Sequence, residues 1–469
     1  MIIESLSGER YTPYSIAVKF HAKAVLESAS FSGGKDRYSI LMLDEAFRVI
    51  QDDDGVAFVI DGQRRPVYLM NNGDILDVLQ NIAEENTDEK NSTFPVPAAG
   101  IGYLSYEFSR RCDTVRFSSQ KDTLDIPESS FIVGHTYIVF DHFSDKLYIC
   151  ARNYKEHEID LQNAVNNIKK RLADLDFSYM AEPETGYTCE VLTDQHQSHD
   201  EYIEKVIELK KRIRAGDIIQ AVPSRRVRIK SDVPAFEIYR RLRTVNPSPY
   251  MFYLDFGTFQ FTGASPESLV RVRDGEAEIH PIAGTRRRGR NSAEDEKLRE
   301  ELAADPKEKA EHLMLVDLAR NDLGRVCIPG SVEVTKFMTT ELFSHVIHLV
   351  SEVKGRVSEG IHAIRVLRAS FPAGTVSGAP KIRAMEILSS LEKEKRNFYA
   401  GAVGYIASEN ALDFCIAIRC AVKKDGIWNL QAGGGIVNAS DPEREFEETC
   451  EKLAAMRTVI EGINKENAL

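Results

Sequence analysis

The chain has 469 residues, 43% of them hydrophobic and 28% charged, enough for a substantial core and for two or more domains. Its formal net charge of −12 excludes a general affinity for nucleic acid or membrane surfaces, so an anionic ligand must meet a local positive site. The start "MIIESLSGER" carries no apolar leader, no run approaches the ~20 apolar residues of a spanning helix, and the seven cysteines lie scattered without C-x-x-C pairs, which predicts a cytoplasmic protein with reduced thiols.

Up to about residue 153 the chain reads as strands and turns: "RYSILML", "GVAFVIDG", "PVYLM", "HTYIVFD" and "KLYICA". A helix follows near "IDLQNAVNNIKKRLADLD", and loss of apolar periodicity places a linker around residues 178 to 199. This predicts an N-terminal region over 1–190 and a second domain over 191–469, with interleaving of the two left open. In the second, Tyr202, Val206, Leu209 and Ile213 repeat at helical spacing up to Gly216, and "DIIQAV" reads as a strand. "LDFCIAIRCAVKKDGIWNLQAGGGIV" reads as a hairpin turning at Asp425-Gly426, with Cys415, Ala417 and Arg419 on one face of its first strand. Hairpins with separate helices, rather than regular βαβ repeats, predict an α+β fold.

"FPAGTVSGAPK" looks like a phosphate loop but fails that test, since no Ser or Thr follows Lys381. What survives is a glycine-containing turn feeding a helix whose entrance, with Pro380 near its first turn, suits an anion or is simply capped. In "DPEREFEETCEKL", Asp441 and Pro442 open a helix that places Glu445, Glu448 and Lys452 on one face, a pattern equally suited to holding a hard cation or to an exposed Glu–Lys pair. "DPKEKAEHLMLVDLARNDLGR" reads as a buried helix, apolar nearly all round, in which Glu311 needs a cation, a proton or a salt bridge. The glycines of "QAGGGIV" permit close backbone approach by a ligand or a tight bend, and His345 and His348 lack a zinc pattern.

Taken in order, "GASPESL", "HPIAGTRRRGR", "EHLMLVDLARNDLGRV", "HVIHLVS", "FPAGTVSGAPKIRAMEIL", "YAGAVGYI", "CIAIR" and "QAGGGIVNASDPEREFEETCEKL" resemble the chorismate-utilising enzymes, densely from about residue 199 to 457. The resemblance implies that family's antiparallel sheets packed as a sandwich with helices outside, and a chorismate pocket with Mg²⁺ as cofactor. It implies Glu311 and Glu448, with Glu445 close by, as metal-binding carboxylates. Arg419, Lys452, Tyr399 and the backbone of Gly433, Gly434 and Gly435 match carboxylate-holding positions, and Thr375, Gly284 and Gln220 match substrate contacts. Glu267 and His348 are implied in proton transfer and Thr285 in contact with ring substituents.

Members that add water carry a lysine base and a glutamate acid where this chain has Gln220 and His280, so the resemblance favours an amine-transferring member. Members that aminate another ring carbon carry "PIKGT"; here the motif is "PIAGT", and Ala283 cannot act as a nucleophile, which implies direct amination at C2 and pyruvate loss to give anthranilate. Aminodeoxychorismate formation is the competing activity, and a non-catalytic tryptophan sensor the competing non-enzyme. None of the cysteines has the setting of an amidotransferase nucleophile, so ammonia is expected from a separate glutamine amidotransferase subunit in a hetero-oligomer. "VLESAS" and "NPSPYMFYL" resemble the family's tryptophan-inhibition motifs, implying Glu27, Ser28, Asn246, Pro247, Ser248, Pro249, Tyr250 and Met251 as contacts for L-tryptophan.

Overall fold

The computed structural model describes residues 1–28, 37–70, 73–87, 94–174, 186–342 and 346–462. Two large antiparallel sheets dominate, of 11 and 12 strands. Both are assembled from strands of both halves of the chain. In the first sheet Met251 and Phe252 pair with Glu27 and Leu26, and in the second Ala402 and Gly404 pair with Leu104 and Gly102.

The largest buried cluster takes Phe252 and Phe261 from the first sheet and Phe131 and Phe414 from the second. Each such ring, removed from water, contributes about 1.5–3 kcal/mol. A second cluster covers the other face of the first sheet, where Ile16, Val165, Ile238 and Leu453 come from helices Pro13–Phe20, Leu161–Ala173, Ala235–Val245 and Pro442–Glu461 and meet Val25, Ile138 and Trp428. This is the sandwich with outer helices that the family resemblance implied, in a mixed α+β molecule. No described helix is long and apolar enough to cross a membrane.

Local signals account for many element ends. Asp305 and Asp441 cap helices Pro306–Gly324 and Pro442–Glu461, each with proline in the first turn. Asp425 and Gly426 take positive φ between strands Cys420–Lys424 and Ile427–Gly433, as a tight hairpin requires.

Other expectations are corrected. "PVYLM" is not a strand: the edge strand is Gln63–Pro66, and Tyr68 is exposed. The linker expected at 178 to 199 falls partly outside the described residues, but Cys189–Val191 adds a strand beside Ser224–Ser231 and a helix already begins at Gln195, capped by Asp194. "DIIQAV" shrinks to the two-residue strand Gln220–Ala221 against Gly378–Ala379. Helix Pro306–Gly324 is not buried all round, since Leu313 lies on an exposed face. The strand expected to run through Arg419 breaks: Leu412–Ile416 belongs to the 12-stranded sheet and Cys420–Lys424 to the 11-stranded one. Arg419, at φ 51°, is where the chain changes sheets.

Candidate functional site

Another of the chain's changes of sheet falls between Phe259–Ser265 and Ser268–Arg273, and there Glu267 sits. The two crossovers are bonded to each other: Ile416 N–H donates to Glu267 O at 3.0 Å, Ala264 N–H to Arg419 O at 3.1 Å, and Ser265 Oγ to Ile416 O at 2.7 Å. A carboxyl and a guanidinium are thus held side by side where the sheets part. Burial pushes the Glu267 carboxyl up to about 7, opposed by the Thr375 hydroxyl and by the charges of Arg419 and Lys452. Thr375 Oγ1 is itself buried without a hydrogen bond of standard geometry. The Arg419 guanidinium makes no hydrogen bond or ion pair among the described residues, and burial lowers its pKa.

One wall carries His348 and Thr285, paired across strands Val346–Arg356 and Ile282–Arg287 beside a bulge at Gly284. His348 Nδ1 lies 2.8 Å from Gly284 O and 3.3 Å from Thr285 Oγ1. A carbonyl only accepts, so Nδ1 carries the proton and Nε2 keeps the lone pair; burial holds the imidazole below its ordinary pKa and therefore neutral. Gly284, at φ +64°, allows the bulge.

The end of strand Ile427–Gly433 and its glycines form a further part of the site. A Cβ on Gly433 would lie 2.4 Å from Pro223 O and 3.0 Å from the Tyr399 hydroxyl oxygen, and one on Gly434 would lie 3.0 Å from Glu445 Oε2 and 3.1 Å from the Tyr202 hydroxyl oxygen. The Gln220 amide occupies the corresponding space at Gly435. Tyr399 is buried, which pushes its hydroxyl up to about 12.

Three acids close the site from two helices. Glu311 is raised by burial and further by the charges of Glu308 and Glu448; Glu445 is raised by burial and by Glu448. The acids therefore sense one another, although their ligand atoms are not drawn together. Lys307 lies 3.6 Å from Glu311, and Lys452 bridges Glu448 at 2.6 Å and Gly433 O at 2.8 Å. Glu445 Oε2 is buried with no hydrogen-bond partner. An orphaned carboxylate oxygen beside two acids held by exchangeable lysines is a donor set that fits a hard divalent cation.

Among the described residues, the group whose potential ligand atoms lie within 4.8 Å of one another is a different one, Glu278, His280 and Glu352. Lys354 sits 3.5 Å from Glu278 and 3.2 Å from Glu352, and Arg271 3.8 Å from Glu278, so both carboxylates already have cationic partners. Sequence reasoning missed Tyr202 and Lys307, both of which reach the acid cluster. Tyr202 reads in the sequence as a core position of its helix, and its hydroxyl carries no local pattern. His345 lies outside the described residues.

The residues matched to tryptophan inhibition divide. Glu27, Ser28, Pro249, Tyr250 and Met251 line a cavity of about 570 Å³ between the sheets, where Ser28 Oγ is buried without a partner. The Glu27 carboxylate is engaged by the Tyr239 hydroxyl and by Arg243 at 2.9 Å. Asn246, Pro247 and Ser248 form the turn behind, where Asn246 ends helix Ala235–Val245 and Ser248 Oγ donates to Asn246 O at 3.2 Å; they do not line the cavity.

Comparison with known proteins shows the family. A family model described as chorismate binding enzyme matches residues 32–458. The chain is 51% identical to anthranilate synthase component 1 of Spirochaeta aurantia, over 97% of this chain and 94% of that protein. It is 37% identical to the Bacillus subtilis protein of the same name, over 98% and 92% respectively. Among solved structures, anthranilate synthase component I from Streptococcus pneumoniae superposes with a TM-score of 0.80 at 34% identity, covering 91% of this chain and 94% of that one. The menaquinone-specific isochorismate synthase of Escherichia coli, at 19% identity and a TM-score of 0.73 with 98% and 94% covered, shares the fold. With a family match over most of its length and a half-identical relative along nearly all of it, this chain belongs to the chorismate binding enzymes and acts on chorismate.

Proposed function

We propose that the protein is the aminating component of an anthranilate synthase, replacing the C4 hydroxyl of chorismate by an amine at C2 and eliminating pyruvate. The observation that carries this reading is the placing of an unpartnered Arg419 guanidinium beside a protonatable Glu267 at two adjoining sheet crossovers, next to an acid cluster suited to a cation. Arg419, the Tyr399 hydroxyl and Lys452 hold the substrate's carboxylates against the backbone of Gly433, Gly434 and Gly435. Glu311, Glu445 and Glu448 would hold Mg²⁺, which would supply positive charge beside the ring carboxylate. Lys452 leaves Glu448 for the substrate as that site fills.

Glu267, held near half-protonation at neutral pH, donates a proton to the departing hydroxyl. His348 stays neutral with its lone pair at Nε2 and removes the C2 proton as pyruvate leaves, while Thr285 contacts the ring substituents and steadies the imidazole at Nδ1. Thr375, Gly284 and Gln220 complete the contacts to the substrate. Gln220 and His280 supply neither the base nor the acid that activation of water would need, and Ala283 cannot form a covalent bond to the ring, so ammonia attacks directly.

The relatives are named as one component of an enzyme, which supports a partner subunit; a glutamine amidotransferase is the source of unprotonated ammonia that this chemistry needs. The cavity at Ser28, Pro249, Tyr250 and Met251 is where L-tryptophan binds to inhibit. Purified protein incubated with chorismate, Mg²⁺ and ammonium at alkaline pH should release fluorescent anthranilate and pyruvate in equal amounts. An aminated product formed without pyruvate would replace this reading with aminodeoxychorismate synthesis, and L-tryptophan without effect at saturation would remove the regulatory part.

A further inference from the structure

We propose that Arg396 is a positioning residue of the chorismate site, one buried guanidinium that sets where Thr375, Gly433 and Tyr399 stand relative to one another. Its side chain is 1% exposed, so it cannot touch the substrate. Its planar fork reaches three chain segments. Nε and NH2 donate to Glu392 at 2.7 and 2.8 Å, NH1 donates to Val376 O at 2.9 Å, and NH2 donates to Val222 O at 2.6 Å. Val376 is the neighbour of Thr375. Val222 precedes Pro223, whose carbonyl lies against Gly433, and Val222 N–H also donates to Ser377 O at 3.1 Å, tying the first two segments together.

The third segment is the turn of Arg396 itself. Glu107 accepts the N–H groups of Arg396 and Asn397 at 2.7 and 3.0 Å, and Tyr399 N–H closes the turn onto Arg396 O at 3.3 Å. The guanidinium lies 4.4 Å from the centre of the Tyr106 ring and 5.8 Å from that of Tyr399. Glu392 in turn accepts Ser224 N–H and Oγ–H, both at 2.8 Å. A buried ion pair adds little net stability over well-packed apolar side chains, so what this arrangement supplies is geometry. Lysine keeps the charge but has no planar fork, and cannot reach Glu392, Val376 and Val222 along the same three directions.

The inference rests on chorismate being the substrate. It is tested by a double-mutant cycle on Arg396→Lys and Thr375→Ala, reading kcat and KM for chorismate together with thermal unfolding. Arg396→Lys should lower kcat/KM about 100-fold, the cost of misplacing a site group by about 1 Å. In the Thr375→Ala background the same change should cost about tenfold less, because one of the three groups being positioned is already gone. Losses that simply multiply, or a folded Arg396→Lys protein with near wild-type kcat/KM, would overturn the proposal. Wild-type protein that does not consume chorismate would sink the functional reading instead. If Arg396→Lys does not fold, Glu392→Gln, which keeps an acceptor for the fork, is taken through the same cycle and must show the same non-additivity.

Discussion

Glu392 with Arg396 and Glu448 with Lys452 are both acid–base pairs four residues apart, yet the molecule uses them in opposite ways. The first lies beyond the end of helix Lys381–Leu391, where the chain turns back into the core, and its side chains are 6% and 1% exposed. The second lies on the open face of helix Pro442–Glu461 with 45% and 26% exposure, and Lys452 also donates to Gly433 O. A pair shut away from water cannot exchange partners without leaving a buried charge, whereas a half-solvated one can. The same spacing therefore makes a fixed frame in one place and an exchangeable ion pair in the other, and burial decides which.

The comparison breaks most visibly if each pair is cut. Glu392→Ala strands Arg396 and should cost about 3–5 kcal/mol of stability in denaturant unfolding; a loss under about 1 kcal/mol would make the two pairs equivalent. Glu448→Gln should shift stability by no more than about 1 kcal/mol while lowering turnover of chorismate about 100-fold, measured as anthranilate release at saturating ammonium. Loss of fold in Glu448→Gln, with activity spared in the folded fraction, would contradict the division of roles.

Glu267 sharpens it through pH. Its carboxyl is held near 7 in the folded protein against an ordinary value of 4.5, so folding takes up a proton between those values and the contribution of this group to stability falls as pH rises from 4.5 through 7. Glu267→Gln removes that dependence, and should gain on wild type by on the order of 3 kcal/mol between pH 4.5 and pH 8 in urea unfolding. An unchanged difference at the two pH values would mean that the carboxyl is not held in this way. The smallest effects are expected among the glycines. A methyl at Gly433 meets the Pro223 carbonyl at 2.4 Å, a backbone atom, while at Gly435 it meets the Gln220 amide at 2.6 Å, a side chain that can move. Gly433→Ala should therefore raise KM for chorismate well beyond what Gly435→Ala does, and equal effects would count against the glycine wall.

Helix caps, the Asp425-Gly426 turn and the apolar strand runs were legible because their causes lie within a few residues of one another. The candidate site residues also stood in the sequence, as matches to ordered motifs rather than as geometry. What could not be seen is long-range. The chain leaves one sheet for the other at Glu267 and at Arg419, and nothing local distinguishes a sheet change from a strand that continues. Beyond Glu392, the partners of Arg396 are 20 and 174 residues away, at Val376 and Val222, and no periodicity marks those. Helix Pro306–Gly324 read as buried because its composition is apolar, but composition does not say which face a neighbouring element covers.

The most direct test is the rate of anthranilate release from chorismate and ammonium as free Mg²⁺ is raised from chelated to millimolar levels, in wild type and in Glu445→Gln. The account predicts almost no turnover under chelation, recovery with Mg²⁺ in the wild type, and a much higher Mg²⁺ requirement in the variant. Full turnover in excess chelator, or an identical Mg²⁺ dependence of the two proteins, would contradict it.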